Sequence, residues 1–313
     1  MQVTAMLFTK TSLGVEISPS GVAFALVGGK AAAPRLERAA YAPLTAGIVR
    51  SSLREPNILD PLAFVERLQN AHNLLLHRSK RLSLTLPDSA GRIMLLDMEG
   101  RFKNRTEGLD MIRWKLKKSI PFDAADTHLD YQLLKIRENG DMALLVALAS
   151  RTVVGQYEDV LTAAGFTPAR IDFNSFNLYR IFDRRLALLD DCLLVFFHNN
   201  ALGIMVYYNG VPEFIRVKEL SGTQAVDNRV FMEITNSLLV HRERFPERNA
   251  SNVFCIAPPD VASVFCSMVT EAAGSEATLL ETKTAVTPGE EAPGDQESFF
   301  LFSAAIGAAL RSL

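Results

Sequence analysis

Apolar-rich stretches at residues 13–17 and 22–27 flank the turn Ser18-Pro19-Ser20-Gly21, and a third at 35–40 follows Gly28-Gly29. Short apolar runs punctuated by Pro and Gly predict a three-stranded β-meander. The spacing then changes. Leu62, Val65, Leu68, His72 and Leu75 recur at helical intervals after Asp60-Pro61. Asp can accept N–H bonds as a cap, and Pro costs nothing in the first helical turn, so a helix begins there. Residues 82–86 read as a buried strand ended by Pro87.

In the next section Leu109, Ile112, Leu116 and Ile120 form one stripe of a helix that follows Thr106 and stops at Pro121. Residues 131–136 and 142–149 pair as a hairpin around Glu138-Asn139-Gly140-Asp141. A helix over 151–164 ends where Gly165 can adopt a left-handed conformation. A strand at 169–172 and a helix at 173–188 follow. Further along, strands at 193–197 and 203–208 flank His198-Asn199-Asn200, and Asn209-Gly210, a strong hairpin signal, leads to a strand at 213–217. The remainder reads as a long helix at 225–245, a strand at 253–256 and a helix at 258–273. Residues 282–298, rich in Thr, Pro, Gly and Glu, read as a mobile loop before an apolar helix at 299–310. There Leu301, Ala304, Ala305, Ala308 and Ala309 make a small, apolar packing face.

Each half thus opens with three strands and continues with helix and strand, a duplication of architecture more than of sequence. Two α/β lobes with a cleft between them fit this order, with the two hairpin turns facing each other across the cleft. The composition is ordinary: of 313 residues, 48% are hydrophobic and 22% charged, which excludes a disordered or fibrous chain. Lys plus Arg number 33 and Asp plus Glu 35, a net charge of -2, so there is no cationic excess to displace nucleic-acid counterions. Cys192, Cys255 and Cys266 show no close pairing spacing, which points away from a disulfide scaffold and towards a reducing compartment. Neither a signal peptide nor a membrane-spanning apolar run is visible, so a cytoplasmic address is expected, with membrane association peripheral or through a partner.

Several stretches, in order, resemble the type IV pilus assembly protein PilM family. They are Leu13-Gly14-Val15-Glu16-Ile17-Ser18, the run from Arg113 to Tyr131 containing Ile120-Pro121-Phe122, and Ala164-Gly165-Phe166 through Ile171-Asp172. Phe214-Ile215-Arg216 with Ser221-Gly222, then Glu233-Ile234 and Ser237-Leu238, continue the likeness over nearly the whole chain. The resemblance implies an actin-like α/β fold of duplicated, ribonuclease H-like lobes, related to FtsA and the cytoplasmic domain of GspL. It places a first lobe at 1–172, with an inserted α+β subdomain at about 87–150, and a second lobe at 173–297 that starts with a connecting helix. A C-terminal helix at 298–313 returns to the first lobe.

The resemblance also implies a nucleotide cleft, and here the residues depart from the family's pattern. Where the first hairpin usually carries Asp-x-Gly to organise magnesium and phosphate, this chain reads Glu16-Ile17-Ser18-Pro19-Ser20-Gly21. The second hairpin reads His198-Asn199-Asn200, without carboxylate or glycine; Asp190 and Asp191 come too early and read as turn residues. Ile256-Ala257-Pro258-Pro259 stands where a Gly-Gly pair would pass the adenosine, and Ser221-Gly222 keeps one glycine of another pair. Glu16, Ser18, Ser20, Gly21, His198, Asn199, Ser221 and Gly222 therefore mark a degenerate cleft. The expectation is no cofactor and no catalytic residue, with ATP binding of the PilM or FtsA kind as the alternative. A sugar- or acid-kinase of the same superfamily is a further rival, against which the His198-Asn199-Asn200 turn speaks.

By the same resemblance the chain would be a scaffold at the inner face of the inner membrane, in a pilus or type II secretion platform alongside other platform components. It would hold the N-terminal cytoplasmic tail of a PilN-like membrane protein in a groove between the first lobe and the inserted subdomain, with Leu84, Trp114, Ile120 and Phe122 nearby. Two other features are local. Residues 101–118 hold Arg101, Lys103, Arg105, Arg113, Lys115, Lys117 and Lys118 against Glu107 and Asp110, with Trp114 among them. Such a face is either simply solvated or touches anionic lipid or an acidic segment. The five histidines have no metal-ligand spacing, and no metal is expected.

Overall fold

The computed structural model describes residues 10–220 and 226–313. The meander consists of β1 (Ser12–Ser18), β2 (Gly21–Lys30) and β3 (Ala33–Pro43), followed by α1 (Pro61–Leu74) and β4 (Arg81–Leu86). Next come β5 (Gly91–Met98), α2 (Arg105–Leu116), β6 (Thr127–Ile136), β7 (Met142–Ser150), α3 (Arg151–Ala163), β8 (Thr167–Phe173) and α4 (Asn174–Leu186). A second meander, β9 (Asp191–His198), β10 (Ala201–Tyr208) and β11 (Val211–Glu219), leads to α5 (Asn228–Arg244), β12 (Val253–Ile256), α6 (Ala262–Ala273) and β13 (Ala277–Leu279). The chain ends with α7 (Thr282–Ala285), β14 (Thr287–Glu291), α8 (Gln296–Leu301) and α9 (Ser303–Leu310).

These strands build three sheets: β14-β3-β2-β1-β4-β8, β11-β10-β9-β12-β13 and the smaller β5-β7-β6. The parity of side chains decides how they stack. On β1, Leu13, Val15 and Ile17 enter one core with Val22, Phe24 and Leu26 of β2, under α1 and α3. The opposite parity, Ala23, Ala25 and Val27, packs with α4, α9 and the even-numbered side chains Cys192, Leu194 and Phe196 of β9. On β9 the odd positions Leu193, Val195 and Phe197 face a third core under α5 and α6. The middle core is therefore shared by the two large sheets. α9 lies directly on β1: a Cβ on Gly14 would stand 1.9 Å from the Ala305 carbonyl oxygen, so only glycine admits the helix there.

The turns form as their residues dictate. Asp60 accepts from Ala63 N–H at the start of α1, and Gly165 has φ +83° after α3. Both central residues of the β10–β11 turn, Asn209 and Gly210, have positive φ, as a tight hairpin requires.

Other expectations are corrected. Residues 282–298 are not a loop: β14 adds to the edge of the first large sheet in parallel with β3, so the chain returns to that sheet well before residue 298. Its edge position and shifted register leave no repeat to read. The terminal apolar helix is two, broken at Phe302, and Leu301 is 40% exposed. Leu62 is 85% exposed; α1 buries Phe64, Leu68, Ala71 and His72 instead. Strands β5 and β13 carry no strong pattern and are additional. Cys255 and Cys266 form a disulfide, because α6 folds back on β12 and brings their Cα atoms to 6.2 Å. Asp191 is not a loose turn acid; its Oδ1 accepts from the backbone N–H groups of Ser251 and Asn252.

Candidate functional site

Strand parity places Glu16 where the lobes meet. Gly14 and Glu16 lie on the face of β1 that looks into the shared core, and His198 continues the inward row Cys192, Leu194, Phe196 at the end of β9. Glu16 and His198 are both buried, and His198 Nε2 donates to Glu16 Oε1 at 2.6 Å. Asn199, held at φ +47° in the turn beyond, donates Nδ2–H to the same oxygen at 2.7 Å. Asn174, the first residue of α4, adds a third donor at 3.0 Å, and its own Oδ1 accepts from Thr85 of β4. One carboxylate oxygen thus gathers the first sheet, the connecting helix and the second meander.

Burial opposes a charge on His198, but the facing Glu16 carboxylate, by charge and hydrogen bond, outweighs it and raises the ring's pKa above its usual value. Asp88, in the turn after β4, is buried as well. It accepts from Ser175 N–H and from Ser175 Oγ at 2.5 Å, so it caps the open first turn of α4 from outside the helix. Burial pushes the Asp88 carboxyl up to about 6, with the Ser175 bonds and the His198 charge pulling the other way.

The first hairpin turn closes on itself. Ser18 Oγ accepts the Gly21 N–H at 3.2 Å and meets Ser20 Oγ at 2.9 Å, while Tyr41 donates to the Ser20 carbonyl. Tyr41 also covers Gly21, where a Cβ would stand 2.3 Å from the ring. The Gly21 amide of this turn is therefore bonded to the chain's own Ser18. The donor set does not match a hydrated cation either. Glu16 faces three N–H groups, each of which a metal would have to displace. Among the described residues no group of three or more His, Cys, Asp or Glu side chains is placed to hold a metal ion.

Of the eight cleft residues expected from the sequence, Glu16, His198 and Asn199 come together, Ser18, Ser20 and Gly21 form the neighbouring turn, and Ser221 and Gly222 lie outside the described residues. Asn174, Thr85, Asp88 and Ser175 were not anticipated; only their positions at strand and helix ends hinted at them.

A second feature is a groove of about 920 Å³ between β6 and β8, which also reaches Tyr179, Tyr207 and the β10–β11 turn. Both strands end their sheets, so each turns an unpaired edge towards it. Leu129, Leu133 and Ile171 supply apolar lining, and Asp172 with Arg311 forms an ion pair at 2.9 Å at its side. None of the four side chains expected near a peptide groove lines it. Leu84 and Ile120 are core residues, Phe122 packs against the small sheet's core, and Trp114 stands 81% exposed on α2. The resemblance that suggests them does not tell core from groove.

The sequence matches the family model described as type IV pilus assembly protein PilM over residues 14–228. Among solved structures, a PilM-PilN type IV pilus biogenesis complex superposes with a TM-score of 0.79 at 20% identity, covering 96% of this chain and 98% of that one. The cytoplasmic domain of EpsL, an inner membrane component of the type II secretion system of Vibrio cholerae, gives 0.52 at 13% identity, with 97% and 96% covered. A Bacteroides thetaiotaomicron protein with an actin-like ATPase fold and unknown function gives 0.50 at 12% identity, with 92% and 96% covered. No curated protein matches the sequence. The fold is therefore the actin-like one, with mixed α/β sheets.

Proposed function

Because the chain belongs to the type IV pilus assembly protein PilM family, we propose that it is a non-catalytic scaffold of a pilus or type II secretion-like assembly platform, cytoplasmic, at the inner face of the inner membrane. Its ligand is the N-terminal cytoplasmic tail of a PilN-like membrane protein, and other platform components assemble around the pair. The observation that carries this reading is the groove of about 920 Å³ flanked by two open strand edges. An extended tail there pairs its backbone with an edge and drops alternate side chains among Leu129, Leu133 and Ile171.

The cleft between the lobes has a different task. Its carboxylate is spent on holding Asn174, His198 and Asn199, so the lobes are clasped by the protein's own side chains where relatives of this fold place a nucleotide. Membrane association is peripheral or through the partner; no helix among the described residues is long and apolar enough to cross a bilayer.

Calorimetric titration with a peptide of the partner's cytoplasmic tail tests the reading. Wild type should bind saturably, and Leu133→Asp, at a position 45% exposed and so tolerant of change, should weaken binding by at least about tenfold. Equal affinity of the two proteins would remove the tail from this groove. Mg-ATP should give no saturable heat. A micromolar dissociation constant would instead favour the ATP-binding switch.

A further inference from the structure

The cationic end of α2 belongs neither to the clasp nor to the groove. We propose that the exposed face of α2, with the segments flanking it, is a contact site for anionic lipid headgroups.

Helical spacing builds the face. Trp114 and Lys115 lie three and four residues after Met111, on a face away from the buried Ile112 and Leu116, and Lys118 follows in the turn just beyond the helix. Trp114, the single tryptophan of the chain, is 81% exposed, and Met111 is 39% exposed. Arg101 and Lys103 before the helix, and Lys117 and Lys118 after it, are exposed and make no ion pair among the described residues. Three neighbouring acids are paired with basic side chains, Asp110 with Arg113, Asp130 with Arg105 and Asp97 with Arg137, whereas Glu107 accepts only the Lys103 N–H and keeps its charge. Glu99, Asp123 and Asp126 are exposed acids at the margin, so the excess of basic charge lies at the helix and its two ends rather than beyond them. Lys115 is held by the Asp97 carbonyl, which positions its charge without cancelling it.

The exposed tryptophan among unpaired basic side chains, away from the groove, favours a bilayer over a peptide. Arg105 and Leu109 line the groove, whereas Trp114, Lys115, Lys117 and Lys118 do not. An acidic peptide gains from a trough; a planar array of phosphates needs only a convex set of long cationic stems and an amphipathic ring at headgroup depth.

The test uses the full chain and two kinds of vesicle, phosphatidylcholine alone and phosphatidylcholine with phosphatidylglycerol. Because the protein has one tryptophan, its emission reports on this face alone. Anionic vesicles should co-sediment the protein, shift that emission to the blue, and release it at high salt; neutral vesicles should do none of these. Lys117→Glu with Lys118→Glu should lower partitioning by about tenfold or more, since each basic residue near an anionic surface contributes severalfold. The charge-matched pair Lys30→Glu with Arg54→Glu should bind as wild type, and so should Leu133→Asp, which separates this site from the groove. Equal binding to neutral vesicles, or an equal loss in the Lys30/Arg54 variant, would overturn the proposal. So would binding to polyglutamate with no vesicle association, which would assign the face to an acidic protein.

Discussion

Glu16 shows how one side chain joins three elements. Its carboxylate, one methylene longer than an aspartate, reaches across the shared core to His198 and Asn199 and is met there by Asn174. Removing it leaves the buried donors of Asn174 and His198, and the exposed Asn199, without that acceptor, and the His198 charge is favoured by that carboxylate. Glu16→Ala should therefore cost about 3 kcal/mol in urea unfolding, the range for breaking one side of a buried pair. A loss below about 1 kcal/mol would mean the clasp is solvated in practice. Asp88 gives a pH signature. Its carboxyl is raised to about 6 from 3.8, so between these values the folded state holds more protons than the unfolded one. Stability from this group is then full below about 4 and falls as pH rises through about 6, by roughly 3 kcal/mol at most. His198, also raised, acts in the same sense above its usual range. Measured against Asp88→Asn, wild type should lose melting temperature between pH 4 and 6 and run parallel above; parallel curves throughout would refute the assignment.

Among the elements, α9 depends on two glycines. Gly14 on β1 admits the Ala305 turn, and Gly307 admits the backbone of α4, where a Cβ would lie 2.0 Å from the Asn177 carbonyl oxygen. Neither neighbour is a flexible side-chain end, so the helix itself must move. Gly307→Ala should cost about 2 kcal/mol or more by thermal or urea unfolding. Gly155→Ala, in α3 with open space at the Cβ position, should instead stabilise by about 0.5–1 kcal/mol, the ordinary helix preference. If the two substitutions behaved alike, the close approach of α9 would not exist in solution. β14 teaches the complementary lesson. Its Pro288 and Gly289 argue against a strand, yet an edge position beside β3 accepts them because only one side must pair.

Across the whole molecule, the two large sheets share a core lined by β2, β9, α4 and α9, so the lobes are joined by packing as well as by the clasp. The second lobe carries its own staple, Cys255–Cys266, closing a separation of 11 residues. In the chain-entropy account such a loop contributes up to about 3 kcal/mol. Unfolding under reductant, or of Cys266→Ser, should show a loss of this size confined to stability, with tail binding in the distant groove unchanged. Indistinguishable denaturation with and without reductant would mean the thiols do not pair in solution.

Periodicity, caps and turn residues act over a few neighbours, and so the meanders, most helices, the Asn209-Gly210 hairpin and the family resemblance were readable along the chain. So was the absence of carboxylate and glycine from His198-Asn199-Asn200. What those residues do was not readable. Whether His198-Asn199 is merely degenerate or completes a bond to Glu16 depends on residues 182 and 183 positions apart meeting across a shared core. The same holds for Leu84 and Ile120 against Leu129 and Leu133: all are apolar, and only the placement of two sheet edges makes one pair core and the other groove. Local spacing sets which face a side chain takes on its own strand or helix. Which surface that face then meets is set by long-range packing, and the chemistry of this protein's cleft and groove lies in those meetings.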